Sequence, residues 1–202
     1  MRPLPVPVIL ASRSPRRSQL LRQIGMQFTV EPSGIEERID ASLSFEENVR
    51  RLALHKAEDV AHRRTEGIVI GSDTIVVIDG DVLGKPADAA EALRMLRRLS
   101  GRTHTVYTGF ALVDCADGRR HIDHQETSVT FRALTDDEIA DYVAGGSPMD
   151  KAGAYGIQDD AGAVFVERID GCYYTVVGFP LAKFHTAFLS FTDGLGQSKG
   201  TL

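Results

Sequence analysis

The sequence predicts a mixed α/β fold with two lobes around a cleft. In its first half, short apolar segments typical of strands alternate with amphipathic helical segments, and two long strand-like segments follow in its second half. With 43% hydrophobic and 25% charged residues, the 202-residue chain has the composition of an ordinary globular protein. We therefore expect a single domain over residues 1–192, whereas residues 193–202 are polar and aperiodic and are predicted to be disordered.

The first predicted elements are a strand, a helix and a second strand. Residues 6–11 form an apolar run rich in valine and isoleucine, which indicates a buried strand. Ser14 is a suitable N-cap and Pro15 suits the first helical turn, so a helix is expected to begin there and to end near Gly25. Residues 28–32 then predict a short strand.

A long helix is predicted next. Ser44 and Glu47 have the spacing of a capping box, in which each residue binds the backbone of the other. An apolar stripe with helical spacing continues from there to about His62. Lys56 falls beside that stripe.

Two apolar pieces, residues 68–70 and 75–78, are separated by residues 71–74. A continuous buried strand is not expected to contain an aspartate, so Asp73 predicts a break in the strand. A structural role for Asp73, such as capping a turn, gives no reason for the break. A functional role is therefore favoured.

Helices, strands and turns continue to alternate along the rest of the chain. Asp88 and Glu91 predict the start of one helix, and Thr135 and Glu138 predict the start of a shorter one. The further predicted elements are a turn at Asp79 and Gly80, a helix end at Gly101, paired strands at 105–113 and 121–132, a helix end at Gly145, a glycine-rich loop over 148–162, strands at 164–169 and 173–177, and a helix after Pro180.

Charge and composition narrow the class of function. A formal net charge of -5 argues against duplex nucleic acid as the main partner, since that binding needs a broad basic surface. The sequence also lacks the basic, aromatic-rich pattern of a single-strand binder and any run near the roughly 18 apolar residues of a membrane span. Prolines interrupt the apolar N-terminal stretch, which argues against a signal peptide, and Cys115 and Cys172 suit a reducing compartment. We expect a cytoplasmic protein.

An anion site is predicted within residues 12–17, where the first strand passes into the first helix. Free backbone amides and the helix dipole attract an anion there, and Arg16 and Arg17 add two guanidinium groups. Arginine is unfavourable beside a helix N-terminus unless an anion offsets its charge. The segment lacks the P-loop motif, and a capped helix with a solvated basic first turn is the alternative.

Lysines and carboxylates can supply the rest of a phosphate site. Lys56 and Lys85 can each reach a phosphate, although a lysine whose stem packs on the apolar stripe with its ammonium in water is the alternative for Lys56. Asp73 suits a base that positions water, and attack on a polyphosphate generally also needs a divalent cation. The acidic loop at residues 34–40 can contribute to such a cation or can be an ordinary surface loop.

Six motifs in order resemble those of the Maf nucleotide pyrophosphatases, and the resemblance covers residues 8–185. It implies an elongated Maf/ITPase-like α/β fold with a central cleft, a divalent cation (Mg²⁺ or Mn²⁺) and a homodimer. The implied reaction is hydrolysis of a nucleoside triphosphate to the monophosphate and pyrophosphate, in a house-cleaning role. The motifs are LASRSPRRSQLL, GSDTIVV, VLGKP, LSGRTHTVYTG, DKAGAYGIQ and VVGFPL.

The resemblance also implies roles for individual residues. Asp73 matches the proposed proton acceptor of the family and, together with Glu36, the carboxylates assigned to the metal. The residues that match positions for substrate choice are Arg16, Thr74 and Gln158, and those that match the phosphate and metal cleft are Ser12, Arg17, Glu36, Lys56 and Lys85.

Thr74 and Gln158 resemble the branch of the family that acts on dTTP, UTP and similar pyrimidines. The branch that acts on 7-methyl-GTP carries glutamine after the motif aspartate and lacks AYGIQ. A glutamine amide can both donate to and accept from the edge of a uracil or thymine ring. Besides that second branch, the alternative is a nucleotide-binding regulator of cell division or septum formation that needs no turnover.

Overall fold

A computed structural model describes residues 4–158, 160–193 and 195 and confirms the predicted mixed α/β fold. Within these residues, seven strands form a mixed sheet that is accompanied by six α-helices. The predicted disorder of residues 193–202 stays a prediction, because residues 194 and 196–202 lie outside the described part of the chain. The strands are β1 (Val8–Leu10), β2 (Thr29–Val30), β3 (Ile68–Ile78), β4 (Asp81–Leu83), β5 (Thr103–Asp114), β6 (Arg120–Phe131) and β7 (Val166–Gly171). The helices are α1 (Pro15–Gln23), α2 (Phe45–Ala61), α3 (Ala89–Leu99), α4 (Asp136–Ala144), α5 (Tyr173–Val177) and α6 (Leu181–Thr192).

The sheet is parallel in its first strands and antiparallel in later ones. The strand order is β2-β1-β3-β5-β6-β7, and β4 pairs with β3 outside this path. Strand β1 is parallel to both β2 and β3, with Leu10 opposite Ile70 in the second pair. The β3–β4 and β6–β7 pairs are antiparallel. The predicted βα units of the first half and the neighbouring long strands of the second half are therefore confirmed.

The described residues form two compact units. The first unit comprises the described parts of residues 1–73, 108–125 and 178–202, and the second comprises those of residues 74–107 and 126–177. A core of the first unit packs small residues of α2 against β1, β3 and β5. A core of the second unit joins α3 and α4 to β3, β4, β5 and β6 and contains several aromatic side chains.

Helices α1 to α4 begin at the predicted residues. Ser14, Ser44, Asp88 and Thr135 are their N-caps, and each side chain accepts a hydrogen bond from the backbone N–H three residues later. At Ser44 and Thr135 the glutamate three residues on also binds back to the cap, which confirms the predicted capping boxes. Among the described residues, the helices are too short or too polar for a membrane crossing.

Two strand predictions are wrong. The predicted break at residues 71–74 is absent, because β3 runs without interruption from Ile68 to Ile78. The predicted strand at residues 173–177 is the short helix α5. Before it, both the N–H and the carbonyl of Cys172 are hydrogen-bonded to the hydroxyl of Thr127 on β6. This tertiary contact ends β7 and turns the chain, overriding the strand preference of the tyrosine, threonine and valine residues that follow.

Candidate active site

Helix α2 lies directly on the sheet because two glycines leave room for it. A β-carbon on Gly71, in β3, would lie 2.0 Å from the carbonyl oxygen of Ala53. One on Gly109, in β5, would lie 2.4 Å from the carbonyl oxygen of Val49. Both distances are far below van der Waals contact, so a larger residue would displace the helix. The close approach brings Lys56, on the buried side of α2, next to the polar residues of β3.

Asp73 is a buried carboxylate within β3, and Lys56 pairs with it. The Nζ atom of Lys56 lies 2.6 Å from Oδ1 of Asp73, and the two side chains are only 7% and 6% exposed. Removing a charge from water costs several kcal/mol unless an opposite charge lies close by. The pair therefore explains how β3 continues through Asp73. The alternative in which the Lys56 ammonium extends into water is wrong.

A second carboxylate, that of Glu37, shares the Lys56 ammonium. Its Oε1 lies 2.6 Å from Nζ, and the Glu37 side chain is 52% exposed, so it forms the solvent-facing side of the cluster. Glu37 was predicted, together with Glu36 and Asp40, to lie in an acidic loop that can contribute to a cation, and the family resemblance selected Glu36 rather than Glu37. Because the loop is irregular, no periodicity indicates which of two adjacent carboxylates turns towards the helix.

The acidic loop is bound to α2 near both of its ends. At its start, the carboxylate of Asp59 accepts the N–H of Gly34 at 2.9 Å, which lowers the pKa of Asp59. At its end, the buried Asn48 side chain donates to the carbonyl of Asp40 and accepts the N–H of the same residue at 2.8 Å. Since Asn48 and Asp59 both belong to α2, these contacts hold the loop beside the buried ammonium.

Glu36 forms a different contact. Its Oε2 lies 2.9 Å from the guanidinium of Arg38, and its side chain is 72% exposed. The carboxylate of the acidic loop that contacts Lys56 is that of Glu37. The role of Glu36 as a metal ligand stays a prediction.

The start of α1 contributes a partly buried arginine to the same unit. The Oγ atom of Ser12 accepts hydrogen bonds from the N–H of Ser14 and from Nη1 of Arg17, both at 3.2 Å. The Nε atom of Arg17 donates to the carbonyl of Gly178 at 3.0 Å. The guanidinium is thus fixed between two chain segments. This contribution of a backbone oxygen, from the VVGFPL motif, was not predicted from the sequence.

Arg17 interacts electrostatically with both carboxylates of the cluster. Burial lowers the pKa of its guanidinium, whereas the negative charges of Asp73 and Glu37 raise it. Arg16 is half-buried in the first turn of α1, and its positive charge also lowers the pKa of Arg17. The two arginines and the dipole of the helix give this turn a positive potential that suits an anion.

Three further predicted residues belong to the second unit. Thr74 is half-buried on β3, whereas Lys85 and Gln158 are exposed in loops. The two loops are joined, because the N–H of Gly153 donates to the carbonyl of Gly84 at 3.0 Å. The structure therefore ties the loop that carries Lys85 to the loop that carries Gln158.

The two carboxylates on Lys56 fit a divalent cation. Mg²⁺ commonly takes one or two protein carboxylates and completes its coordination with water and substrate phosphates. Asp73 and Glu37 match that donor set, and both already approach a single cationic nitrogen at 2.6 Å. Among residues 4–158, 160–193 and 195, no cluster of three or more histidine, cysteine, aspartate or glutamate side chains has the arrangement of a metal site.

Comparisons with known proteins identify the family. A family model described as Maf-like protein matches residues 7–191. A dTTP/UTP pyrophosphatase of Desulforamulus reducens is 46% identical over 185 residues, which cover 92% of this chain and 96% of that protein. The proteins of the same name from Moorella thermoacetica and Bacillus pumilus are 52% and 48% identical over 176 residues, covering 87% of this chain and 90% and 92% of their own lengths. The chain belongs to the Maf family, as its motifs indicate.

Proposed function

We propose that this chain hydrolyses dTTP, UTP and related or modified pyrimidine nucleoside triphosphates to the monophosphate and pyrophosphate, in a house-cleaning role. Relatives that are 46% and 52% identical over most of the chain are named dTTP/UTP pyrophosphatase. The observation that carries the proposal is the buried pair of Lys56 and Asp73, whose atoms lie 2.6 Å apart. A fixed carboxylate beside phosphate-binding cations is what the activation of water next to a polyphosphate requires.

Asp73 is assigned the role of the base. Its carboxylate takes a proton from a water molecule, and the oxygen of that water forms a bond to the α-phosphorus. The bond from the α-phosphorus to the oxygen that bridges to the β-phosphorus breaks, and this oxygen leaves with pyrophosphate. Lys56 holds the Asp73 carboxylate in a fixed orientation through the 2.6 Å contact.

The basic residues are assigned to the phosphate chain. Arg16, Arg17, Lys85 and the hydroxyl of Ser12 supply donors whose charge and hydrogen bonds offset the negative charge of the transition state. Arg17 is oriented in advance, because its guanidinium is bound to Ser12 and to the carbonyl of Gly178. Preorganised donors of this kind need little rearrangement when the substrate reacts.

A divalent cation, Mg²⁺ or Mn²⁺, is part of the proposal. Asp73 and Glu37 would hold it, on the strength of their shared approach to the Lys56 ammonium. When bound, such a cation offsets the charge of the phosphates and makes the phosphorus more open to attack. Glu36, which the family resemblance selects, is the alternative ligand.

Substrate choice is assigned to Arg16, Thr74 and Gln158. The exposed amide of Gln158 can donate to and accept from the edge of a uracil or thymine ring. A base with a different pattern of donors and acceptors would leave that amide mismatched, which is how a polar pocket rejects the wrong substrate.

The proposal extends to location and assembly. Cys115 and Cys172 are free thiols, which suits a reducing cytoplasm, and the net charge of -5 suits a small nucleotide better than a nucleic-acid partner. The family resemblance implies a homodimer. Light scattering of the purified protein tests this assembly, and a mass of 22.0 kDa, that of one chain, would contradict it.

A substrate panel tests the activity. Each common and modified nucleoside triphosphate is incubated with the purified protein and Mg²⁺ or Mn²⁺, and the products are separated so that pyrophosphate is distinguished from orthophosphate. We expect monophosphate and pyrophosphate from dTTP and UTP. A preference for 7-methyl-GTP would indicate the other branch. Thermal stabilisation by UTP without cleavage of any nucleotide would contradict the proposal and favour a regulator.

A further inference from the structure

The AYGIQ loop, defined here as residues 151–158, has an unusual backbone conformation. Gly153 and Ala154 are consecutive residues with positive φ angles of 70° and 61°. A residue with a β-carbon rarely adopts this region, and it does so where surrounding contacts hold it. Ala154 is completely buried, and a β-carbon on Gly153 would lie 3.1 Å from the side chain of Val76. The loop is therefore held in one specific conformation.

Two buried hydroxyl groups fix the loop immediately after this turn. The hydroxyl of Tyr155 is hydrogen-bonded to Nε2 of His104 at 2.8 Å. The N–H of Gly156 donates to the hydroxyl of Tyr142 at 3.3 Å. The ring of Tyr155 also packs edge-on against Phe131, with centroids 4.7 Å apart. From this anchor the chain passes in three residues from the buried Tyr155 to an exposed side chain at position 158.

His104 is an unexpected residue for its surroundings. It is 2% exposed, and within the described part of the chain its Nδ1 atom has no hydrogen-bond partner. An apolar side chain would pack there without an unpaired nitrogen, but it would leave the buried hydroxyl of Tyr155 without this partner. Burial lowers the pKa of His104 to about 4, so the imidazole is neutral near neutral pH. What a histidine adds at this position is its single hydrogen bond to Tyr155.

We propose that His104 is a positioning residue for nucleobase selectivity, which acts through Tyr155 to hold the amide of Gln158 where it meets the pyrimidine edge. The inference rests on the proposed function, because that function assigns the base to Gln158. A hydrogen bond between an exposed amide and a base discriminates between nucleobases only if the amide is held in place. A mobile amide can turn to match the donors and acceptors of either base. The His104–Tyr155 contact supplies that restraint without touching the substrate.

The test compares equilibrium binding of two analogues that resist cleavage, α,β-methylene UTP and α,β-methylene CTP, by titration calorimetry. Their bases differ in donors and acceptors on the same edge. Tyr155→Phe removes only the hydroxyl and keeps the ring packing. His104→Asn removes the Nε2 contact, whereas the longer amide of His104→Gln can restore it. The matched control is Tyr173→Phe, which removes a hydroxyl from a tyrosine that is 38% exposed.

The expected result is a loss of discrimination. The ratio of UTP-analogue to CTP-analogue affinity falls by roughly tenfold in Tyr155→Phe and His104→Asn, the size of one hydrogen bond. The ratio stays within about twofold in His104→Gln, because the glutamine restores the hydrogen bond to Tyr155. It also stays within about twofold in Tyr173→Phe, because Tyr173 takes no part in that hydrogen bond. Inorganic tripolyphosphate, which carries no base, is expected to bind all four variants equally.

An unchanged ratio of UTP-analogue to CTP-analogue affinity in Tyr155→Phe would overturn the inference. Equally weakened binding of both analogues and of tripolyphosphate would also overturn it, because that result would indicate a merely structural role. Tyr155→Phe keeps the test decisive if His104→Asn does not fold, and melting curves identify that case. Failure of the unaltered protein to cleave UTP would instead contradict the proposed function. The ratio of analogue affinities would still test the inference, because it needs no turnover.

Discussion

The ammonium nitrogen of Lys56 lies 2.6 Å from Oδ1 of Asp73, and both side chains are more than nine-tenths buried. Such a pair adds little to stability, because the desolvation of two charges offsets most of their attraction and apolar residues of similar size are often at least as stable. A chemical role accounts better for the pair. It places a carboxylate in a fixed orientation within β3, which suits a base that must meet a water molecule and a phosphate.

Asp73→Asn should lower turnover of UTP on the order of 10² to 10⁴-fold, because the amide cannot accept the proton of the attacking water. The rate of pyrophosphate release at saturating UTP measures the effect. The control is Asp136→Asn, the same chemical change at a side chain that is 73% exposed, and it should leave the rate unchanged. Near-normal turnover in a folded Asp73→Asn protein would rule out Asp73 as the base.

Glu37→Gln and Glu36→Gln form a matched pair of adjacent substitutions. Glu37 contacts the Lys56 ammonium, whereas Glu36 pairs with Arg38 in an exposed position. If Glu37 is a metal ligand, its substitution should raise the Mg²⁺ concentration for half-maximal rate by roughly tenfold or more. In Glu36→Gln that concentration should stay close to the value of the unaltered protein. Titration of the rate with Mg²⁺ measures this. The opposite ranking would assign the metal to Glu36.

Local signals in the sequence were sufficient for most helices. A capping residue and a glutamate three positions later determine where a helix begins, and Ser44 and Thr135 form the predicted capping boxes with their glutamates. Several residues of the candidate site could likewise be proposed from motifs that combine loop positions with charge, and their roles stay predictions. Lys56 and Asp73, predicted from separate segments, are in direct contact.

Contacts between distant segments account for what could not be predicted. The continuity of β3 through Asp73 depends on a lysine 17 positions away, and the end of β7 depends on the hydroxyl of Thr127. The inward turn of Glu37 depends on an irregular loop that is held by Asn48. None of these contacts has a periodic signature, so a reading of local pattern does not reveal them.

Gly71→Ala should separate α2 from β3. The added β-carbon would lie 2.0 Å from the carbonyl oxygen of Ala53, and backbone atoms on both sides cannot rotate away. We expect a loss of about 3 kcal/mol in the free energy of unfolding, the upper part of the range for overpacking. Urea denaturation measures it. Gly34→Ala is the matched control, because apart from its chain neighbours no atom of the described residues lies within 4 Å of the added β-carbon, and a comparable loss there would contradict the steric explanation.

His104 gives the stability of the protein a specific dependence on pH. Burial lowers its pKa from 6.5 to about 4 in the folded state. A histidine whose folded pKa is depressed favours folding while it is neutral, so its contribution is complete above pH 6.5 and is lost as the pH falls towards 4. For these two pKa values, linkage gives a loss of about 3 kcal/mol in the free energy of unfolding across that window.

Urea denaturation of the unaltered protein and of His104→Asn, at intervals between pH 7.5 and 4, tests this dependence. Other groups titrate in the same range, so the informative quantity is the difference in unfolding free energy between the two proteins. That difference should shrink as the pH falls below about 6.5, because the unaltered protein carries the buried imidazole of His104 and the variant does not. A pH-independent difference for His104→Asn would mean that the imidazole is protonated without penalty in the folded protein, and would contradict its burial beside Tyr155 and Phe131.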